Sequence, residues 1–360
     1  MNQFFLKSFR ILLFPFSCLY AVIIVIRNFL YNKGIFHAAT FNLPIICVGN
    51  LAVGGTGKSP MVEYLISLLH NNYAVATLSR GYKRKTKGYI LANNNTTAIE
   101  IGDEPMQFHL KFPDVAVAVG EHRIIAIPQL LQDKPNTEVI VLDDAYQHRA
   151  INAGLNILLT EFSNLYCHDF YLPTGDLRDV KSSADRAQII IVTKCPENLS
   201  ESERRKITEQ LLVKPHQKIF FTTIGYGTAY HITNNGQRQI SSNDEVLLVC
   251  GIANPEPLKQ YLHQNTHTYY FQSFPDHHIF SIDDLKEIEK RFSKIDHPSK
   301  YILTTEKDAV RLLKFRDVLE NLPIYVLPIK PQFLFNEQAT FDAAIISFIH
   351  NYNTNNGEKE

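Results

Sequence analysis

The distribution of apolar and polar residues divides this 360-residue chain into an apolar N-terminal stretch followed by alternating short apolar runs and amphipathic segments. Short β-branched runs bounded by turn residues predict buried strands, and the segments between them, with apolar residues three or four positions apart, predict helices. Strands are predicted at 45–48, 74–78, 139–142, 156–159, 189–193 and 218–221, and helices at 104–111, 122–132 and 202–212. This alternation predicts an open α/β fold with a mostly parallel sheet.

A turn-rich segment, residues 225–243, separates this set from a second and smaller α/β set. There we predict strands at 246–250, 268–272 and 301–304, helices at 255–263, 282–292 and 306–315, and a last helix at 336–350. The length suits two domains. The predicted divisions are an apolar helix in 1–34, a larger domain 35–222, a smaller α/β domain 223–332, and a C-terminal helix with a disordered tail in 333–360.

The N-terminal stretch is the most apolar part of the chain. Residues 11–26 carry no charge, contain Pro15, and have basic residues on both sides, namely Lys7, Arg10, Arg27 and Lys33. A spanning helix needs about 20 apolar residues. The run is shorter than that, so we predict a membrane-associated helix embedded in one leaflet, with its basic residues at the headgroups. A true span and a buried core helix are the alternatives.

Overall charge and cysteine usage narrow the class of protein. The formal net charge is zero, so no global field attracts nucleic acid. Five scattered cysteines form no C-x-x-C pair, which argues against a zinc ribbon and fits a reducing compartment.

The segment between the first strand and the next helix, GNLAVGGTGKSP, has the strand–loop–helix context of a phosphate-binding P-loop. Glycines let backbone N–H groups approach phosphates, Lys58 would contact the β- and γ-phosphates, and Ser59 would bind Mg²⁺. Ala52 stands where the strict motif has glycine, and a glycine-rich turn before an ordinary helix is the alternative. The predicted nucleotide-binding residues are Ala52, Val53, Gly54, Gly55, Thr56, Gly57, Lys58 and Ser59.

Acidic residues follow the strand predicted at 139–142. Asp143 and Asp144 have the form of a Walker B strand end, whose carboxylate holds Mg²⁺ directly or through water. Capping of a following helix is the alternative. His148 comes soon afterwards and could face the same cleft.

Two further polar motifs lie far apart in the chain. GDEP places Asp103 at a loop-to-helix junction, where an N-cap is the plainer interpretation. PDHH contains His277 and His278, which could bind a metal but have no third ligand at useful spacing. A carboxylate from one domain and an imidazole from the other could instead form a catalytic base. A basic loop, residues 79–88 with Arg80, is either solvated or binds an anionic substrate or lipid headgroup.

Taken together, these motifs resemble one family, the tetraacyldisaccharide 4′-kinases. The resemblance runs in order through GNLAVGGTGKSP, LSRGYKR, GDEP, DDAYQHR, LPTGDLR, VCGIANPEPL, FPDHHIF and LTTEKDAVRL. It covers nearly the whole chain after about residue 35, and the apolar N-terminal helix fits as well. The family also typically lacks glycine at the first P-loop position, so Ala52 is no objection.

The resemblance implies a reaction, its partners and its location. The family transfers the γ-phosphate of ATP, with Mg²⁺, to the 4′-hydroxyl of a tetraacyl-disaccharide 1-phosphate, a lipid A precursor, forming lipid IVA. It works at the cytoplasmic face of the inner membrane. The partners implied are the lipid-linked disaccharide and the inner leaflet. From the zero net charge we expect no nucleic-acid partner, and no obligate protein partner is evident in the sequence.

The resemblance also implies roles for individual residues. Asp103 pairs with His277 to activate the sugar hydroxyl, Lys58 and Ser59 hold phosphate and Mg²⁺, and two carboxylates complete the metal site, Asp143 and Asp144. Further polar positions of the family's active site match Glu104, Arg80, Arg123, His148 and Arg178.

Two other functions are weighed against this one. A P-loop GTPase of the metal-insertion type should carry an Asn-Lys-x-Asp signature, and neither candidate, beginning at Thr193 or Thr305, fits. A membrane-bound nucleotide-sensing adaptor would not need Asp103 and His277.

Overall fold

The structure, a computed structural model, describes residues 10–357. Lys7, predicted at the membrane surface, and residues 358–360 of the predicted tail lie outside the described residues. The strands, in chain order, are β1 (Ile45–Asn50), β2 (Val75–Ser79), β3 (Ile90–Leu91), β4 (Ala116–Val119), β5 (Val139–Asp143), β6 (Leu155–Glu161), β7 (Ile189–Thr193), β8 (Lys218–Tyr226), β9 (Ala229–His231), β10 (Gln237–Arg238), β11 (Glu245–Cys250), β12 (Thr268–Ser273), β13 (Lys300–Thr305), β14 (Ile324–Leu327) and β15 (Ile329–Phe333).

Helices connect these strands and flank them. The α-helices are α1 (Phe14–Asn32), α2 (Lys58–Leu69), α3 (Ala98–Ile101), α4 (Asp103–Lys111), α5 (Arg123–Asp133), α6 (Glu201–Gln210), α7 (Glu256–Asn265), α8 (Ile282–Ser293), α9 (Glu306–Leu312), α10 (Arg316–Leu319) and α11 (Gln338–Gly357). Short 3₁₀ helices cover Tyr166–His168, Lys181–Arg186 and Leu313–Phe315.

The larger sheet has the strand order β15-β8-β7-β6-β1-β5-β2-β4-β3. Pairing from β8 to β4 is parallel, and the two edge strands are antiparallel. Alternate residues of β1 enter different apolar clusters, with Ile45 and Cys47 in one, and Ile46 and Val48 in the other. Because side chains alternate between the faces of a strand, the sheet is covered on both faces.

The smaller sheet has the order β10-β9-β14-β13-β11-β12 and its own apolar clusters. Strands β12, β11, β13 and β14 are parallel, and β9 and β10 are antiparallel additions. The predicted α/β fold, with a mostly parallel sheet, a second smaller set and a preceding apolar helix, is therefore confirmed.

The chain passes between the two sheets near residues 226–229 and again near 327–329. After β14 it returns to the larger sheet, where β15 pairs antiparallel with β8. The domain ranges 35–222 and 223–332 stay predictions, but the second of them includes most of a strand that pairs in the larger sheet. Short strands such as β4 were missed because four residues give little periodicity.

The C-terminal helix needs a correction. It runs to Gly357, so residues 353–357 are helical and the predicted disordered tail is wrong there. Phe341, Ile345 and Ile349 of α11 join the apolar cluster that contains Met61 and Leu65 of α2. The last helix thus packs on the larger sheet.

Helix α1 has two unlike faces. Pro15 lies in the first turn, where its missing N–H breaks no helical hydrogen bond. A polar stripe contacts the larger domain, because Ser17 Oγ donates to Tyr171 O (3.0 Å) and Asn28 Nδ2 to Asp179 Oδ1 (2.8 Å). The other face leaves exposed Phe14, Phe16, Leu19, Val22, Ile23, Val25, Ile26 and Phe29. By length and composition alone, α1 is also the one helix within 10–357 that could cross a membrane.

Candidate active site

The loop between β1 and α2 has the backbone of a phosphate cradle. Gly54 and Gly57 have φ values of 113° and 85°, a left-handed region that favours glycine. An added Cβ on Gly54 or Gly55 would meet no atom within 4 Å, so space is open beside the loop. Gly57 directly precedes α2, whose first N–H groups and dipole favour an anion.

Side chains from neighbouring strands fix this loop. Asn50 Nδ2 donates to Thr56 Oγ1 at 2.9 Å, and Thr193 Oγ1 donates to Thr56 O at 3.0 Å. Val53 N donates to Asp176 O at 2.8 Å, and Ala52 bridges to Leu177. Sequence reasoning missed Asn50 and Thr193, although Asn50 stands in the quoted motif.

Asp143 ends β5, the strand beside β1, and is 3% exposed. Its Oδ1 is buried and has no hydrogen-bond partner within residues 10–357. Burial, together with the nearby Glu104 and Asp144 carboxylates, raises the pKa of Asp143 to about 7. Turn residues follow instead of a helix, so the helix-cap alternative is excluded.

Asp144 has a left-handed backbone (φ 48°) and is paired with cations. Arg178 binds both of its carboxylate oxygens, and Lys58 Nζ lies 3.8 Å from Oδ1. Burial opposes ionisation, but the Arg178 hydrogen bond and the charge of Lys58 prevail, and the pKa of Asp144 is lowered. Arg178 Nη2 also donates to Asn50 Oδ1 at 2.5 Å.

Glu104 joins the P-loop to the smaller domain. Lys307 Nζ lies 2.7 Å from its Oε1, and the Ser59 hydroxyl and the Lys58 charge of the P-loop act on its pKa. Although burial acts in the opposite direction, Lys307 and Ser59 hold the pKa of Glu104 below its usual value.

Asp103 meets His277 across the two domains. The two residues are 174 positions apart, and His277 Nδ1 lies 3.0 Å from Asp103 Oδ2. Arg311 donates to the same oxygen from Nε (2.9 Å) and Nη2 (2.8 Å). Burial is outweighed by Arg311 and His277, so the pKa of Asp103 is lowered. Gly102, not Asp103, is the N-cap of α4, and the capping alternative is wrong.

The two adjacent histidines have different partners. His277 has a left-handed backbone (φ 63°) and faces the ring of Tyr82, with 6.0 Å between ring centroids. His278 Nε2 instead contacts Asp284 Oδ2 at 3.0 Å within the smaller domain. In the part of the chain that the structure describes, no cluster of three His, Cys, Asp or Glu side chains could by itself hold a metal.

The other predicted polar residues differ in accessibility. Arg123 is 1% exposed and donates to Gly120 O at 2.9 Å, and burial lowers its pKa to about 10. His148 is half-buried, and burial with Arg123, Arg80 and Arg27 lowers its pKa to about 4, so its imidazole is neutral at pH 7. Arg80 is exposed.

The site contains two basic residues for which the sequence analysis predicted no role. Lys307 and Arg311 lie in LTTEKDAVRL, quoted above as a family motif. They contact Glu104 and Asp103 across 203 and 208 residues of chain, a separation at which no spacing rule applies.

Comparison with known proteins agrees with the motif resemblance. A family model described as tetraacyldisaccharide-1-P 4′-kinase matches residues 9–350. A protein named tetraacyldisaccharide 4′-kinase from Flavobacterium johnsoniae is 48% identical over 94% of this chain and 97% of its own length. One of the same name from Bacteroides thetaiotaomicron is 43% identical over 100% and 98%.

A solved structure extends this similarity to the fold. A crystal structure of LpxK from Aquifex aeolicus, described as an apo form in complex with ATP, superposes with a TM-score of 0.73 at 29% identity. The match covers 95% of this chain and 99% of that one. On the family match and these relatives, the chain belongs to the tetraacyldisaccharide-1-P 4′-kinase family.

Proposed function

We propose that this chain, an enzyme of a phosphate-transferring family, phosphorylates the 4′-hydroxyl of a tetraacyl-disaccharide 1-phosphate with ATP and Mg²⁺. The product is lipid IVA, and the reaction takes place at the cytoplasmic face of the inner membrane. The observation that carries this proposal is the contact of Asp103 with His277, at 3.0 Å, beside a P-loop. A nucleotide-sensing adaptor would not need such a pair.

The P-loop would bind the triphosphate of ATP. Its open glycines and the start of α2 offer backbone N–H groups, and Lys58 adds a positive charge at the γ-phosphate. Lys58 Nζ now lies 3.4 Å from Gly54 O and 3.8 Å from Asp144 Oδ1, so it already points into the loop. The related Aquifex aeolicus structure is described as containing ATP.

The residues present fit Mg²⁺. Asp143 Oδ1 is a buried carboxylate oxygen without a hydrogen-bond partner in the described chain, which is a costly arrangement unless a cation binds there. Ser59 and Asp144 would complete the protein ligands. Mg²⁺ usually takes only one or two carboxylates and fills its other positions with waters and substrate phosphates. When bound, it would neutralise charge on the phosphate oxygens.

Asp103 would accept the proton of the sugar hydroxyl. The 4′-oxygen forms a bond to the γ-phosphorus, the bond from that phosphorus to the bridging oxygen breaks, and ADP leaves with the electron pair. Phosphoryl transfer depends mainly on positioning and charge stabilisation, so a weak base suffices if it touches the hydroxyl. His277 would orient the carboxylate through Nδ1.

The remaining polar residues are proposed to contact substrate or phosphate. Arg80 is exposed and would be accessible to an anion, and neutral His148 can accept or donate a hydrogen bond. Glu104 lies next to Ser59 of the P-loop, and Arg178 is linked to the P-loop through Asp144.

Arg123 donates to backbone oxygens, so its proposed contact with substrate requires it to change hydrogen-bond partners.

Helix α1 would bring the active site to the membrane. Its apolar face is exposed, and Tyr20 on its docked face donates to Arg178 O at 3.0 Å. A bilayer covering the apolar face would therefore lie close to the proposed substrate residues. A substrate with four acyl chains stays in that bilayer and presents only its sugar headgroup.

Phosphate transfer tests the activity directly. Purified protein is incubated with radiolabelled ATP, Mg²⁺ and the tetraacyl-disaccharide 1-phosphate, and labelled lipid is measured. We expect transfer with ATP, and none to an acceptor whose 4′-position is already phosphorylated. Labelled product from the blocked acceptor, or no product from the free one, would refute the proposed reaction. GTP in place of ATP tests the GTPase alternative.

Membrane pelleting tests the role of α1. Deleting residues 4–31 should release the protein while leaving ATP binding intact. Because the deletion also removes contacts to Arg178, a matched variant replaces only the exposed Leu19, Ile23 and Ile26 with Gln. High salt alone should not release the intact protein, since burial of about ten large side chains outweighs screened charge. A deletion variant that still pellets would direct attention to the basic loop, residues 83–87.

A further inference from the structure

Helix α9 of the smaller domain lies antiparallel to α4 of the larger one, and the two are matched in charge. The acidic first turn of α4 meets basic residues of α9, and the basic last turn meets an acidic one. The three ion pairs, each with its shortest distance, are Asp103–Arg311 (2.8 Å), Glu104–Lys307 (2.7 Å) and Lys111–Glu306 (2.6 Å). This pattern fixes the register of the two helices, so Arg311 meets the carboxylate proposed as the base.

Among the described residues, every hydrogen bond and ion pair of the Asp103 carboxylate uses one oxygen, Oδ2. Within residues 10–357, Arg311 donates to Oδ2 from Nε at 2.9 Å and from Nη2 at 2.8 Å, and His277 Nδ1 lies 3.0 Å from the same oxygen and 3.1 Å from Arg311 Nη2. Oδ1 has no hydrogen bond from the described residues, and it is not among their buried unpaired atoms. Oδ1 is therefore the oxygen available to a substrate hydroxyl.

Arg311 is itself held in place. It is 7% exposed, and its Nη1 donates to Asp308 Oδ1 at 3.1 Å and to Gly251 O at 3.4 Å. Asp308 is anchored in turn, because Gly251 N and Thr305 Oγ1 donate to its Oδ2 at 2.9 and 2.7 Å. A guanidinium fixed on both sides is pre-organised to hold a carboxylate in one orientation.

We propose that Arg311 is a positioning residue for phosphate transfer. It occupies Oδ2 of Asp103, turns Oδ1 toward the 4′-hydroxyl and keeps the carboxylate ionised. Because Arg311 and His277 both come from the smaller domain, the base is complete only while the two domains are in contact. The inference rests on the proposed function and deepens it.

Few charged groups face Asp103 besides Arg311. His277 approaches from the loop after β12, with Asp276 Oδ2 3.8 Å from its Nε2. Glu104, on the same helix as Asp103, is paired with Lys307, and Asp308 lies behind Arg311. Within residues 10–357, Arg311 is thus the permanent cation in direct contact with this carboxylate, and its removal should make Asp103 easier to protonate.

The test measures kcat against pH for wild type, Arg311→Gln and Arg311→Lys at saturating ATP. In Arg311→Gln we expect kcat to fall on the order of 10- to 100-fold. The pH at which kcat declines on the acidic side of the profile, its acidic limb, should rise by about one pH unit. Arg311→Lys keeps the charge but not the two fixed donors, so its acidic limb should stay near wild type with an intermediate kcat. The KM for ATP should change little.

A double mutant separates positioning from a general structural effect. In an Asp103→Asn background, Arg311→Gln should cost little more, since Arg311 and the His277 ring that it also contacts both act through Asp103. Arg316→Gln makes the same chemical change at an exposed site on the nearby α10 and should behave as wild type. Thermal melting of each variant checks folding. If Arg311→Gln is unstable, the kcat of Arg311→Lys, alone and in the Asp103→Asn background, is measured in its place.

Two results would overturn the role of Arg311: an unmoved acidic limb in Arg311→Gln, or losses that multiply in the double mutant. Either requires a wild-type enzyme that phosphorylates the disaccharide. Failure of the wild type itself would instead refute the proposed function and, with it, the base that Arg311 is proposed to position.

Discussion

Two pairs of adjacent carboxylates, Asp103–Glu104 and Asp143–Asp144, stand at the same cleft but are prepared in different ways. In the first pair, each side chain is matched to a cation from the smaller domain, Arg311 or Lys307. In the second pair, Asp144 is matched to Arg178, while Asp143 is buried and its Oδ1 has no hydrogen-bond partner among residues 10–357. Protein cations therefore balance the charge of both carboxylates in the first pair. In the second pair they balance Asp144, and Asp143 lacks such a partner among the described residues.

The two pairs show how carboxylates can serve two different tasks in one site. A carboxylate held ionised by fixed cations suits a base, because it is ready for a proton without reorganisation. A buried carboxylate without a partner has a raised pKa and suits a metal ligand, since a divalent cation supplies the missing charge. Four predictions test this contrast.

The largest effect is expected at Lys58, which lies beside Asp144 of the second pair and is proposed to contact the transferring phosphate. Lys58→Ala should abolish transfer, with a loss of about 3 kcal/mol or more in the barrier. The fold should be unaffected, because within residues 10–357 the polar contacts of the Lys58 ammonium are to Gly54 O of the loop and to Asp144. Steady-state kinetics with ATP, together with a melting curve, checks both statements. Near-normal turnover would show that the loop does not bind the transferring phosphate.

Asp103 and His277 come next and test the first pair. Each change to Ala should lower kcat by about 100-fold or more with a modest effect on the KM for ATP. The double variant should lose little beyond the worse single one, because the two act as a unit. His278→Ala is the matched control, since His278 is paired with Asp284 and should give a milder loss. Independent action of the two side chains would appear as fully multiplicative losses.

Burial of Asp143 should make the free energy of unfolding depend on pH. With its pKa near 7, folded metal-free protein holds a proton between about pH 4 and 7 that the unfolded chain has released. Stability therefore falls as pH rises through that window. Asp143→Asn should abolish activity yet raise the melting temperature at pH 8 by roughly 5 °C, and by less at pH 5.

Calorimetry in a chelating buffer measures this difference. Asp144→Asn is the matched control, because Asp144 is already paired and its pKa is lowered, so the same change should destabilise the protein at pH 8. An Asp143→Asn variant that is less stable than wild type at pH 8 would mean that this carboxylate is not the one lacking a partner.

The smallest effect concerns the approach of the two domains, on which only the first pair depends. The chain passes between the sheets near residues 226–229 and 327–329, and we expect the segments 221–227 and 327–331 at these crossings to act as hinges. Solution scattering with a non-hydrolysable ATP analogue should show a radius of gyration smaller by about 1 Å than the roughly 21 Å of the free protein. Protein without the analogue, measured in the same buffer, is the control. An unchanged radius with binding verified separately would count against closure.

Much of this molecule was predictable because its signals are local. An apolar strand, a glycine-rich loop and an amphipathic helix occur within residues 45–69, and the acidic end of β5 directly follows its strand. The uncharged run before residue 27 likewise predicted a helix with an apolar face. Hydrophobic periodicity and turn chemistry act between neighbours in the chain, so the sequence alone determined these elements and the α/β fold class.

The arrangement of the site was decided only in three dimensions. The return of β15 to the larger sheet, the meeting of Asp103 with His277 and Arg311, and the unpaired oxygen of Asp143 join parts of the chain far apart in sequence. Whether a carboxylate is ionised depends on which charges surround it and how much water it has lost. Those are properties of position in space, and no spacing along the chain encodes them.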